Sequence, residues 1–142
     1  MMAFKKIVVA YDGSHDSEKA LTTAANLAQS LAAEISLVSV VSEIPVAVSE
    51  GMDYSLWAAN AENIYEKKVE TAKKYCTGRH IEVHSKVLHG NPASEIINYA
   101  RQEKADMIIA GTRGLGGFGQ LLLGSVAHQL VTYSDIPVMI VK

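Results

Sequence analysis

Five short β-branched runs punctuate the chain: Lys6 to Ala10, Ile35 to Val41, Ile81 to Leu88, Met107 to Ala110 and Val138 to Val141. Most are continuous apolar stretches, the pattern of strands buried on both faces. The third run, Ile81-Glu82-Val83-His84-Ser85-Lys86-Val87, alternates instead and predicts an edge strand with one wet face. Helical stripes lie between the runs. Ala20, Leu21, Ala24, Leu27, Ala28 and Leu31 form the first. Ala61, Tyr65, Val69, Ala72 and Cys76 form the second, with Glu70 and Lys74 paired four apart on the outer face. A third helix opens at Asn91-Pro92, a side-chain acceptor followed by a ring with its φ preset. The fourth carries Val126, Leu130 and Tyr133 and stops before Pro137. The order β-α-β-α-β-α-β-α-β predicts an α/β fold: a parallel sheet with right-handed crossovers and helices on both faces. Ser42 to Ala58 resists this pattern and reads as a long loop, either a variable connector or a lid or partner surface.

Composition narrows the class. The 142 residues suit one domain spanning residues 1–142, large enough to hold a core without disulfides. The formal net charge of −2 and the lack of any clustered Lys/Arg stripe argue against a nucleic-acid partner. Cys76 is the single cysteine, so no internal disulfide forms and a reducing compartment is expected. Its place on the second stripe reads as a buried structural thiol, with a reactive one as the alternative. The apolar run Ile7 to Ala10 is too short for a signal peptide or a membrane span, so no membrane partner and a cytoplasmic location are expected.

Two segments carry candidate chemistry. In an open parallel sheet, ligands bind beyond the carboxyl ends of the strands, where strand order reverses. Val8-Val9-Ala10-Tyr11-Asp12-Gly13-Ser14 is a buried strand ending in an acid and a small turn. Ile108-Ile109-Ala110-Gly111-Thr112-Arg113-Gly114 runs on through a glycine-rich loop to Leu123-Gly124-Ser125-Val126. Glycines let backbone N–H groups approach an anion, and a helix N-terminus adds unpaired donors, which suits phosphate. Asp12 and Ser125 have a plainer reading as helix caps, and Arg113 reads more readily as solvated than as phosphate-bound. Two matches within the loop are decoys. Gly114, Gly116 and Gly119 satisfy G-x-G-x-x-G, yet the loop follows the fourth strand and no acid ends the next one. Gly119 to Ser125 resembles a P-loop, but Val126 follows Ser125 and the P-loop lysine is missing.

The spacing Gly111-x-x-Gly114, nine residues, then Gly124-Ser125 resembles the nucleotide signature of the universal stress protein family. The likeness extends to Ala10-Tyr11-Asp12-Gly13-Ser14, Gly90-Asn91-Pro92 and the ending Ile136-Pro137-Val138-Met139-Ile140-Val141. The resemblance, to the family's ATP-binding subclass, implies an open five-stranded sheet of order 3-2-1-4-5, the adenine nucleotide alpha hydrolase-like arrangement. It implies that Ala10 and the backbone of Val40 line an adenine pocket, with Asp12 and Gly111 at the ribose. Gly114, Gly124, Ser125 and Val126 would donate to phosphates, and Arg113 stands beside them. ATP, ADP or AMP would be the ligand, with Mg²⁺ held through the phosphates. Gln120 departs from a basic residue common in relatives, which leaves AMP or ADP open.

The histidines suggest no metal site. Four residues along a strand separate His80 from His84 by about 13 Å, and His84 and His89 would point to opposite faces. Nor do His15 and His128 have assignable catalytic partners, so slow or absent hydrolysis is expected, in a nucleotide-responsive regulatory protein. The alternatives are an ATPase or nucleotidyl-transfer enzyme, and a scaffold with structural nucleotide. The apolar last strand, Val138 to Val141, would lie at a sheet edge and predicts a homodimer. The resemblance points the same way; the alternative is that the Ser42–Ala58 loop covers the edge.

Overall fold

The structure, a computed structural model, describes residues 3–42, 54–113 and 123–142. Strands β1 (Lys6–Ala10), β2 (Glu34–Val41), β3 (Val83–His89), β4 (Met107–Gly111) and β5 (Val138–Val141) alternate with helices α1 (His15–Leu31), α2 (Tyr54–Gly78), α3 (Pro92–Gln102) and α4 (Ser125–Tyr133). The sheet is parallel throughout, in the order β3-β2-β1-β4-β5.

The continuous apolar runs are explained by two cores. Ile7, Val9, Leu37 and Ile109 point to one face and pack with α1 and with Val69, Ala72 and Cys76 of α2. Val8, Val38 and Ile108 point to the other and pack with Ala93, Ile96, Ile97 and Ala100 of α3 and Leu130 of α4. Adjacent strand residues thus serve opposite cores, and both must be apolar. The third strand is an edge strand with alternating exposure, as its pattern predicts, though it starts at Val83 rather than Ile81. Ile81 is buried just ahead of it, after His80 turns the chain at φ 61°.

Three expectations need correction. Helix α2 begins at Tyr54, so the last five residues of the Ser42–Ala58 segment are helical rather than loop; residues 43–53 lie outside the described part. From Tyr54 to Thr77 no Gly or Pro interrupts, and Ala, Glu and Lys dominate, which favours helix over loop. Leu31 does not complete the α1 stripe. It stands 42% exposed in the last turn, where the chain leaves through left-handed Ala32, and the buried stripe ends at Ala28. Tyr133, the last residue of α4, is likewise 69% exposed, leaving Ala127 and Leu130 as the buried face of that helix.

Candidate functional site

The chain runs β1-β2-β3 outward to one edge and β4-β5 to the other, so strand order reverses between β1 and β4. The crevice beyond their carboxyl ends is where an open α/β sheet receives ligands. On the β1 side, Gly13 turns the chain at φ +84°, a conformation that side chains disfavour. Asp12 Oδ1 accepts from the Ser14 amide at 2.9 Å, and Asp12 N–H donates to Ser17 Oγ at 3.4 Å. Ser14, not Asp12, is the N-cap of α1, accepting from Ser17 N–H at 3.2 Å. The capping alternative for Asp12 therefore fails.

On the β4 side, Gly111 ends the strand against the first turn of α1. A Cβ there would stand 2.7 Å from the carbonyl carbon and oxygen of Asp16, a close approach only glycine permits. Thr112 carbonyl accepts from Gly124 N–H at 2.6 Å, so the two ends of the glycine loop meet. Gly124 is the N-cap of α4 and makes no side-chain cap hydrogen bond; Ser125 is the exposed first helical residue. The capping alternative for Ser125 fails as well. By contrast, α1 and α3 are capped by the side chains of Ser14 and Asn91. A side-chain cap would satisfy part of the first-turn donors that α4 instead presents at this crevice.

Comparison with known proteins decides the family. The family model described as the universal stress protein family matches residues 3–142. The chain belongs to that family. Universal stress protein MJ0531 of Methanocaldococcus jannaschii is 34% identical over 140 residues, covering 98% of this chain and 82% of the relative. Universal stress protein YxiE of Bacillus subtilis is 34% identical over 147 residues, covering 98% and 99%. Among solved structures, hypothetical protein MJ0577 matches with a TM-score of 0.87 at 30% identity, covering 99% of this chain and 97% of that one. A universal stress protein from Archaeoglobus fulgidus in complex with dAMP shares the fold, with a TM-score of 0.71 at 22% identity and coverage of 99% and 100%.

Within this universal stress protein, the signature positions fall on the two sides of the crevice. Ala10, Val40 and Val126 all pack against the α3/α4 core, which puts them on one face of the sheet near its carboxyl end. Asp12 follows Ala10, while Gly111, Arg113, Gly124 and Ser125 gather around the Thr112–Gly124 closure. Gly114, Gly116, Gly119 and Gln120 lie outside the described residues. Arg113 Nε stands 4.0 Å from Asp16 Oδ2, with the side chain 31% exposed.

Four residues near the site escaped sequence reasoning. Lys68 of α2 lies over Gly13 and donates from Nζ to the Asp12 carbonyl at 3.4 Å, while its ammonium stands 5.3 Å from the Tyr65 ring centroid. Burial, and then the charge of Asp12, raise the Tyr65 hydroxyl above its ordinary value. Asp16 Oδ2 accepts from Thr112 Oγ1 at 2.9 Å, linking residues 96 apart in sequence. The helical stripe marks the inner face of α2, but no local signal tells which turn of another strand that face will meet.

The described residues also bring Glu34, Glu82 and His84 together, with one ligand atom from each within 4.8 Å of the others. Comparing histidines along one strand missed this group, because Glu34 comes from β2. His84 Nε2 faces Glu82 at 3.6 Å and Glu34 at 3.9 Å, and Lys6 Nζ already pairs with Glu34 at 3.4 Å. The cluster lies at the amino end of the sheet, opposite the crevice, with Glu34 half-buried and Glu82 and His84 exposed. Cys76 is fully buried, and burial, partly opposed by the charge of Arg79, raises its thiol above the ordinary value. No described helix is long and apolar enough to cross a membrane.

Proposed function

We propose that this universal stress protein binds an adenine nucleotide in the β1/β4 crevice and acts as a cytoplasmic, nucleotide-responsive stress protein. The observation that carries the reading is the Thr112–Gly124 closure, which puts an α4 N-terminus without a side-chain cap beside the strand-order reversal. In this reading Ala10 and the backbone of Val40 flank adenine, and Asp12 and Gly111 meet the ribose. Gly114, Gly124, Ser125 and Val126 donate to phosphates, and Arg113 lies at their margin. The residues present fit a phosphate group. A Cβ on Gly124 would sit 3.3 Å from both Thr112 O and Arg113 Cα, so the small residue lets the start of α4 close against the other end of the loop. Two fold neighbours bound to cAMP and dAMP are consistent with an adenylate ligand. ATP with Mg²⁺ held by its phosphates fits the same donors, as do ADP and AMP.

The chain's own residues bind and orient. In this reading Asp12 meets the ribose rather than the outer phosphates, so no general base is assigned opposite a γ-phosphate and hydrolysis is slow or absent. Titration calorimetry with ATP, ADP and AMP tests the site against the Gly124→Val variant, whose branched side chain would press on Thr112 and Arg113 at the loop closure. Binding lost in the variant supports the placement; unchanged binding refutes it. Turnover above about 1 s⁻¹ in the same samples would make the protein an ordinary enzyme instead.

A further inference from the structure

The two sides of the crevice belong to separate parts of the chain, and the β1–β4 ladder that joins them ends at Val9 and Ile109, so their spacing beyond it is set by a further contact. Asp16 stands at that point. It lies in the first turn of α1, two residues beyond the Ser14 cap whose amide holds Asp12. Its Oδ2 accepts from Thr112 Oγ1 at 2.9 Å and stands 4.0 Å from Arg113 Nε. Thr112 is buried, and its carbonyl accepts from Gly124 N–H at 2.6 Å. Gly111, immediately before it, is pressed so close to the Asp16 backbone that no Cβ fits. Asp16 thus joins the turn that carries Asp12 to the first end of the glycine loop, and Thr112 in turn holds Gly124 at the other end.

We propose that Asp16 is a positioning residue that fixes the root of the glycine loop against the β1–α1 turn, setting the distance between the nucleoside and phosphate halves of the site. The proposal rests on the adenine-nucleotide reading. A plainer role exists, because an acid in the first turn of a helix is favoured by the helix dipole whatever it touches. The two roles differ in what asparagine does. Asparagine loses the charge that the dipole favours, but its amide oxygen still accepts from the Thr112 hydroxyl.

The test is calorimetry with AMP and with adenosine on the wild type, Asp16→Ala, Asp16→Asn, Thr112→Val and the Asp16→Ala/Thr112→Val double variant. Asp16→Ala is expected to weaken AMP about tenfold, the size of one lost hydrogen bond to a charged group, and to change adenosine less than about twofold. Asp16→Asn should restore most AMP affinity. Thr112→Val, nearly isosteric, should reproduce Asp16→Ala, and the double variant should be no weaker than either single one. Equal loss for AMP and adenosine, an Asn variant as poor as Ala, or additive losses would overturn the proposal. If Asp16→Ala does not fold, Thr112→Val carries the same comparison. If the wild type binds neither ligand, the nucleotide reading fails by itself. Amide exchange at Gly124 in the ligand-free protein then decides: faster exchange in Thr112→Val and Asp16→Ala, restored in Asp16→Asn, supports positioning, and unchanged exchange refutes it.

Discussion

Gly111→Ala is the sharpest single perturbation, because its cost can be worked from the contact it creates. The added methyl would lie 2.7 Å from the Asp16 carbonyl carbon and oxygen and 2.8 Å from its Cβ. Ordinary van der Waals contact begins near 3.5 Å, so α1 or β4 must retreat by several tenths of an ångström. Two of the three atoms are backbone, and no rotamer change relieves the overlap. Overpacking of this kind costs about 1–3 kcal/mol. A chain of this length has an unfolding entropy near 0.3 kcal/mol/K, so the midpoint should fall by about 3–10 °C. Gly78→Ala is the matched control. Gly78 ends α2 with nothing within 4 Å of its added Cβ, and alanine gains helix propensity there. That variant should rise by up to about 3 °C. Differential scanning calorimetry at one pH and protein concentration reads both. A Gly111→Ala midpoint within a degree of wild type would mean that α1 and β4 do not press together here, and the account of the site would lose its anchor.

Ser125→Ala should weaken adenine-nucleotide binding roughly 10–100-fold by removing a hydroxyl donor to a phosphate, read by calorimetry; an unchanged affinity takes Ser125 out of the site. Tyr11 predicts an alkaline effect. Its hydroxyl is held above the ordinary 10.0 by burial first, then by its hydrogen bond to Glu18, by the charge of Glu18 and by Asp12. The unfolded chain releases this proton first, so the stabilisation is complete below pH 10 and is lost as pH rises beyond it. Denaturation of Tyr11→Phe between pH 10 and 12 should show a shallower loss, by at most about 1.4 kcal/mol per pH unit; equal slopes would contradict this. The edge strand β5 is apolar and only partly buried along its length, which supports a homodimer paired through Val138–Val141. Light scattering of a Met139→Lys/Val141→Pro variant should give a monomer, whereas an unaltered dimer moves the interface elsewhere.

Much of this molecule was legible along the chain. The runs at Ile7–Ala10 and Ile35–Val41 announced strands buried on both faces, because burial there needs apolar residues at every position. Asn91-Pro92 marked the start of α3, where Asn91 is indeed the side-chain cap, and the alternation at Val83 to Val87 marked a wet edge. Cys76 on its helical stripe is buried as its spacing indicated. These features follow from side-chain periodicity and capping, which act within a few residues. The strand order was a different matter. Alternating elements fix parallel pairing, but 3-2-1-4-5 came from family resemblance, since periodicity does not say which strand lies beside which.

Tertiary structure decided the rest. Glu34 meets Glu82 and His84 only because β2 and β3 are neighbours in one register. Lys68 reaches over Gly13 only because α2 covers the same face as α1. Asp12 reads as the cap of α1 in sequence, yet Ser14 is the residue whose side chain accepts from the first turn. Asp16 gave no sequence signal of this role, because its partner Thr112 lies 96 residues away. A side chain's chemistry is written locally, but its partner is chosen by which strands pair and which helices cover them. Those choices are made by the whole chain at once.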